Sequence, residues 1–114
     1  MPRPTLHLVP ADAWEARDAA HPWLPAGYAE EGFIHCTDGD DEMVAVANRF
    51  YATDPRAFLV LTVDLELTGS PWRFDDPSGI YPHVYGAIDP RAVMAVRPAP
   101  RDALGRFLEL PQDA

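Results

Sequence analysis

The run Ala57-Phe58-Leu59-Val60-Leu61-Thr62-Val63 is apolar apart from one threonine. A strand wetted on one face alternates polar and apolar residues, so this unbroken run predicts a central strand covered on both faces. The 114 residues, 47% of them hydrophobic, suit one compact domain of that kind. The expectation is a single domain over residues 1–114, with 98–114 its least regular stretch.

Around that strand the chain reads as alternating short elements. Thr5-Leu6-His7-Leu8-Val9 is β-rich and stopped by Pro10, and Ala11 to Ala20 has helical composition with Trp14 as its single large anchor. Two prolines and a glycine make His21 to Gly27 a loop. Gly32 to Thr37 reads as a strand with Phe33, His35 and Thr37 on one face and Ile34 and Cys36 on the other. The helix expected over Asp41–Tyr51 has Met43, Val46, Ala47 and Phe50 at the spacing of one apolar face, and the acids from Asp38 onward read as its cap. Further strands are predicted at Trp72–Asp75 and Ala92–Arg97, and a one-turn helix starts at Asp89-Pro90-Arg91. Pro82 lacks a backbone donor, which places any strand at Tyr81–Gly86 on an edge or after the proline. In the tail, Leu104, Phe107 and Leu108 suggest a short amphipathic turn.

Nine basic against eighteen acidic residues leave a net charge of −9, a field that repels phosphate backbones and anionic lipid. Neither nucleic acid nor membrane is an expected partner. All nine cations are arginine, so Schiff-base chemistry and a P-loop lysine are absent. No apolar run approaches a spanning helix, the first residues hold no apolar leader segment, and the one cysteine forms no internal disulfide; a cytoplasmic location is expected. Glycine-rich nucleotide motifs and the Gly-x-Ser-x-Gly elbow are also missing.

Three of four histidines, His7, His35 and His83, sit in or beside predicted strands. Singly, each is explained by a half-buried ring bonded to backbone; together they suggest polar side chains lining a cleft. His7, His35, Cys36 and His83 are competent zinc ligands, but no paired ligand motif occurs and neighbours His35 and Cys36 face opposite ways, so no metal site is expected. Cys36 reads as a small buried hydrophobe, because Asp38, Asp40, Asp41 and Glu42 raise rather than lower a nearby thiol pKa. Arg49 suits either a bidentate clamp on a substrate anion or a salt bridge. Asp75 and Asp76 suit a turn, a general base or an acceptor for a ribose hydroxyl. Tyrosines and tryptophans near the histidines are what a pocket for a planar ring requires.

The blocks His7-Leu8-Val9, Trp14-Glu15, Gly32-Phe33-Ile34-His35-Cys36-Thr37, Ala47-Asn48-Arg49-Phe50-Tyr51 and Tyr81-Pro82-His83-Val84-Tyr85-Gly86 resemble the bacterial family of unknown function DUF952. The resemblance runs through nearly the whole chain. It implies an α+β, ADP-ribosyltransferase-like fold: small split antiparallel or mixed sheets with two main helices around a cleft. In active relatives of that fold the cleft holds NAD, here a possible substrate rather than a resident cofactor. The resemblance places His7 on the nicotinamide ribose and Asp75, one methylene shorter than the usual Glu, at the developing positive charge. It leaves a middle role open between His35 and Tyr81. The expected catalytic set is His7, His35 and Asp75; Cys36, Thr37, Arg49, Tyr81, His83 and Tyr85 would touch a nucleotide of NAD or ADP-ribose type. Transfer or hydrolysis of ADP-ribose is the expected chemistry. The alternatives are a noncatalytic binding or interaction module with structural histidines, and a metal-dependent hydrolase.

Overall fold

The computed structural model describes residues 1–112. Strand β1 (Pro4–Pro10), β3 (Phe58–Asp64) and β6 (Val93–Pro98) form one antiparallel sheet in the order β1-β3-β6; β2 (Ile34–His35), β5 (Pro82–Val84) and β4 (Trp72–Phe74) form a second in the order β2-β5-β4. The helices are α1 (Ala11–Glu15), α2 (Tyr28–Glu31) and α3 (Asp40–Tyr51). This is an α+β fold with two small antiparallel sheets and one substantial helix.

β3 is the central strand that its composition requires, and the alternation of side chains explains why nearly all of it is apolar. Leu61 and Val63 pack with Ile34, Val84, Ile88 and Trp14 in a core shared with the second sheet. Phe58 and Val60 pack instead with Met43 and Ala47 of α3 and with Phe107 and Leu110 of the tail. An antiparallel bridge from Leu6 to Thr37 ties the two sheets together.

Several expectations change. The first helix stops at Glu15, because only Trp14 of its residues is buried and nothing apolar follows to hold a further turn. The second strand reduces to Ile34–His35, with Thr37 paired separately to Leu6. β5 is the middle strand of its sheet despite Pro82, which stands first in the strand, where its carbonyl accepts from the Cys36 N–H at 3.0 Å. Phe50 is 64% exposed: Met43 and Ala47 already fill the contact that α3 makes with the sheet. The acids before α3 do not cap it. Asp38 binds Arg3 at 2.6 Å and Thr5 at 2.7 Å, while Asp40 takes both guanidinium ends of Arg97 at 2.9 Å; the cap position is Gly39, at φ 92°. In the tail Phe107 and Leu110 are buried and Leu104 is exposed, since Leu104 lies in the turn that the antiparallel Arg101 to Phe107 bridge closes.

The tail is fastened to the end of α3 by Arg101, whose guanidinium stacks on Phe107 at 4.3 Å and donates to the carbonyls of Ala52, Asp54 and Arg56 at 3.0, 2.6 and 2.8 Å. Replacing Arg101 with alanine is expected to lower unfolding free energy by about 2 kcal/mol, because several carbonyls lose a charged donor together. Urea denaturation reads this; a change below a few tenths would mean that water replaces the arginine fully.

Candidate functional site

The short second sheet brings two imidazoles together. His35 and His83 are register partners on neighbouring strands, so their side chains leave the same face, and their rings lie 5.4 Å apart in a T arrangement. Phe33, two residues before His35, stacks on His83 with centroids 4.0 Å apart and planes 17° from parallel. Asp75 closes the group from beyond β4. Its carboxylate accepts from His83 Nδ1 at 2.7 Å, from Arg73 Nε at 2.7 Å and from the Tyr85 hydroxyl. Arg73 also lies over the Tyr85 ring at 4.3 Å.

Three donors on one carboxylate have a direct consequence. The Tyr85 hydroxyl foremost, then Arg73 and His83, hold the Asp75 carboxyl well below the usual carboxylate range. Asp75 is therefore a poor general base, and it fixes His83 with Nδ1 toward the carboxylate and Nε2 away from it. Tyr85 is correspondingly harder to ionise, Asp75 being the largest cause.

Beside this cluster lies a cleft of about 280 Å³ between β1, α3 and the segment 25–35. His35 and Phe33 belong to its wall and to the cluster at once; Tyr28, Glu31, Tyr51 and Arg56 complete much of the rim, and His7, Thr37 and Phe58 line it more deeply. His35 Nε2 faces the Glu31 carboxylate at 3.3 Å, and the ring is largely exposed. The lining holds one acid, Glu31, and one arginine, Arg56. The cleft is thus far less negative than the surface of a chain carrying −9.

His7 stands apart from the other two rings. It is 5% exposed, its Nδ1 meets the His35 carbonyl at 2.9 Å and its Nε2 accepts from the Trp23 indole at 3.1 Å. Both nitrogens are satisfied by the neutral Nδ1–H tautomer, and burial pushes its pKa down to about 4. It supports the strand that carries His35 and has no nitrogen left for a ribose. Cys36 faces the core at 2% exposure and burial pushes its thiol up to about 12, so it offers a ligand no surface. Thr37 is buried and bridged to Leu6. Arg49 is exposed on α3 with its guanidinium 5.1 Å from the Phe50 ring centre, and it forms no salt bridge among the described residues. Tyr81 is half-buried just before β5. Asp76 accepts from the Ser78 N–H at 3.0 Å, the turn role that its position suggested.

Phe33, Glu31 and Arg73 escaped the sequence reading. Phe33 and His35 share strand parity, as do Arg73 and Asp75, so alternation alone was a usable signal. Nothing local marks Trp23 as the partner of His7. Among the described residues no three His, Cys, Asp or Glu side chains gather as a metal-holding group, so the metal-dependent hydrolase reading finds no ligand set there.

Two three-stranded antiparallel sheets, one long helix and a cleft beside a paired-imidazole cluster define a small α+β scaffold. The chain belongs to the DUF952 family, described as a protein of unknown function, whose model matches residues 8–96. The fold is shared with the crystal structure of protein CC0527 from Caulobacter crescentus, at 19% identity and a TM-score of 0.76 over 93% of this chain and 94% of that one. A double mutant of CC0527 aligns over the same shares at 19% identity with a TM-score of 0.75. No curated protein matches the chain.

Proposed function

We propose that the cleft binds a nucleotide of the NAD or ADP-ribose type, on an ADP-ribosyltransferase-like scaffold, and that His35 handles the proton when the ADP-ribosyl group is cleaved or transferred. The observation that carries this reading is the position of His35. Its imidazole is exposed on the cleft wall, is held by Glu31, and abuts His83, which Asp75 and Phe33 clamp. The near-neutral lining admits a ligand bearing phosphates, and Phe33, Tyr28 and Tyr51 supply aromatic surface for a planar ring. In the reaction the bond from the ribose C1′ to the nicotinamide nitrogen breaks, and its electron pair leaves with neutral nicotinamide. The oxygen of water or of an acceptor hydroxyl bonds to C1′, and its proton passes to the His35 ring. Asp75 and His83 act as positioning residues behind that ring.

Ligand-observed NMR and calorimetry with NAD, ADP-ribose and AMP test the binding, and release of nicotinamide tests the chemistry. His35→Ala is expected to slow nicotinamide release by about 100-fold or more without moving the thermal midpoint appreciably. If none of the three ligands gives a saturable response, the reading fails. Saturable binding by the wild type with no release of nicotinamide would assign a noncatalytic binding module instead, the reading that the wholly structural bonding of His7 favours.

A further inference from the structure

A second hollow, of about 210 Å³, shares no lining residue with the cleft. Trp14, Trp23, Arg17, His21, Val93 and Val96 line it. The two indoles meet edge to face with centroids 5.2 Å apart, and both are at least nine-tenths buried. Trp23 is pinned further by its N–H bond to His7 and by main-chain bonds of 2.8 and 2.9 Å with Ile88, so this wall is rigid. A rigid aromatic wall binds a ring at small cost in ordering.

Arg17 gives the hollow its chemistry. Its guanidinium lies 3.6 Å from the centre of the Trp14 ring and donates once, from Nη1 to the Trp14 carbonyl at 2.7 Å. Arg3, Arg56, Arg73, Arg91 and Arg97 each hold a carboxylate. Arg17, although the chain has twice as many acids as arginines, has no carboxylate partner among the described residues. Stacking leaves the edge of a guanidinium open, and that edge presents the paired N–H groups that match a carboxylate. His21, tied to Asp18 at 2.7 Å, stands on the same rim. The volume suits one ring with a short acid group.

We propose that this hollow is a binding site for a small aromatic carboxylate, the ring against Trp14, Trp23 and Val96 and the acid group on Arg17. The site shares no lining residue with the nucleotide cleft, the Trp23–His7 bond being the link between them. Benzoate is the probe, benzyl alcohol its uncharged counterpart, and the indole N–H signals in a proton–nitrogen correlation spectrum are the readout. Benzoate is expected to shift the Trp14 and Trp23 signals saturably at millimolar concentration while the Trp72 signal stays in place. Benzyl alcohol and the Arg17→Gln variant should each weaken the response by about tenfold or more, since both lose the charge-assisted pair. Val96→Glu, at an exposed position on the rim, should abolish it by repulsion, and serves if Arg17→Gln perturbs Trp14 itself. A shift that never saturates, equal binding of benzyl alcohol, or an undiminished response in both variants would overturn the proposal.

Discussion

Acidification from pH 7 to pH 4 is expected to remove about 3 kcal/mol of folding stability through His7 alone. The ring titrates near its ordinary 6.5 when the chain is unfolded and at about 4 when folded, because burial disfavours the imidazolium and a charged ring would lose the Trp23 N–H it now accepts. Between these values the unfolded chain binds more protons than the folded one, so stability falls as pH falls. The contribution is complete above pH 6.5 and is lost progressively down to about pH 4. Urea denaturation at half-unit intervals should show an excess slope of about 1.4 kcal/mol per pH unit in this window. His7→Gln keeps a polar side chain at the site but no titration, so its profile should lack that slope. Parallel profiles for wild type and variant would show that the buried imidazole accepts a proton at little cost. The same bonds mean that loss of ligand binding in a His7 variant reports a damaged fold before it reports a missing contact.

Asp40→Ala is expected to lower stability by about 3 kcal/mol, near the top of the range for a single surface-adjacent acid. Both carboxylate oxygens face Arg97 at 2.9 Å, and the arginine side chain is 9% exposed. Removing the acid leaves the guanidinium out of water without two charge-assisted bonds, whereas Arg97→Met removes the charge and keeps much of the volume, and should cost only about 1 kcal/mol. This asymmetry identifies a pair whose arginine is buried while its acid stays about a third exposed, since a fully exposed pair loses about the same small amount from either side. Arg97 also pulls Asp40 below the ordinary carboxylate range, so the pair stabilises above the unfolded value of 3.8 and is lost as the acid is protonated below it. Equal losses of a few tenths from both variants would place the pair in solvent-like surroundings.

The candidate site was half legible in the chain. Period-two alternation puts His35 with Phe33 and Thr37 on one face and hides Cys36 and Ile34; the structure keeps that division except at Thr37, which is buried and bridged to Leu6. Asp75 was visible as an acid near a turn, but its three donors come from positions two, eight and ten residues away, on β4, on β5 and just past β5. Only the two-residue spacing to Arg73 carries a periodic signal; the other two span a loop. Asp38 and Asp40 depart from the capping expectation for a related reason: capping is a local rule, and Arg3 and Arg97, 35 and 57 residues distant, outcompete it with charged donors.

Local composition determined that β3 is covered on both faces, that α3 exists and that residues 21–27 form no helix. These follow from side-chain period and backbone restriction, each a property of short segments. Only the tertiary structure decided that His83 joins His35 while His7 is sealed between Trp23 and a main-chain carbonyl. An imidazole has the same composition in either setting, and what separates a reactive ring from a structural one is which distant groups its two nitrogens meet.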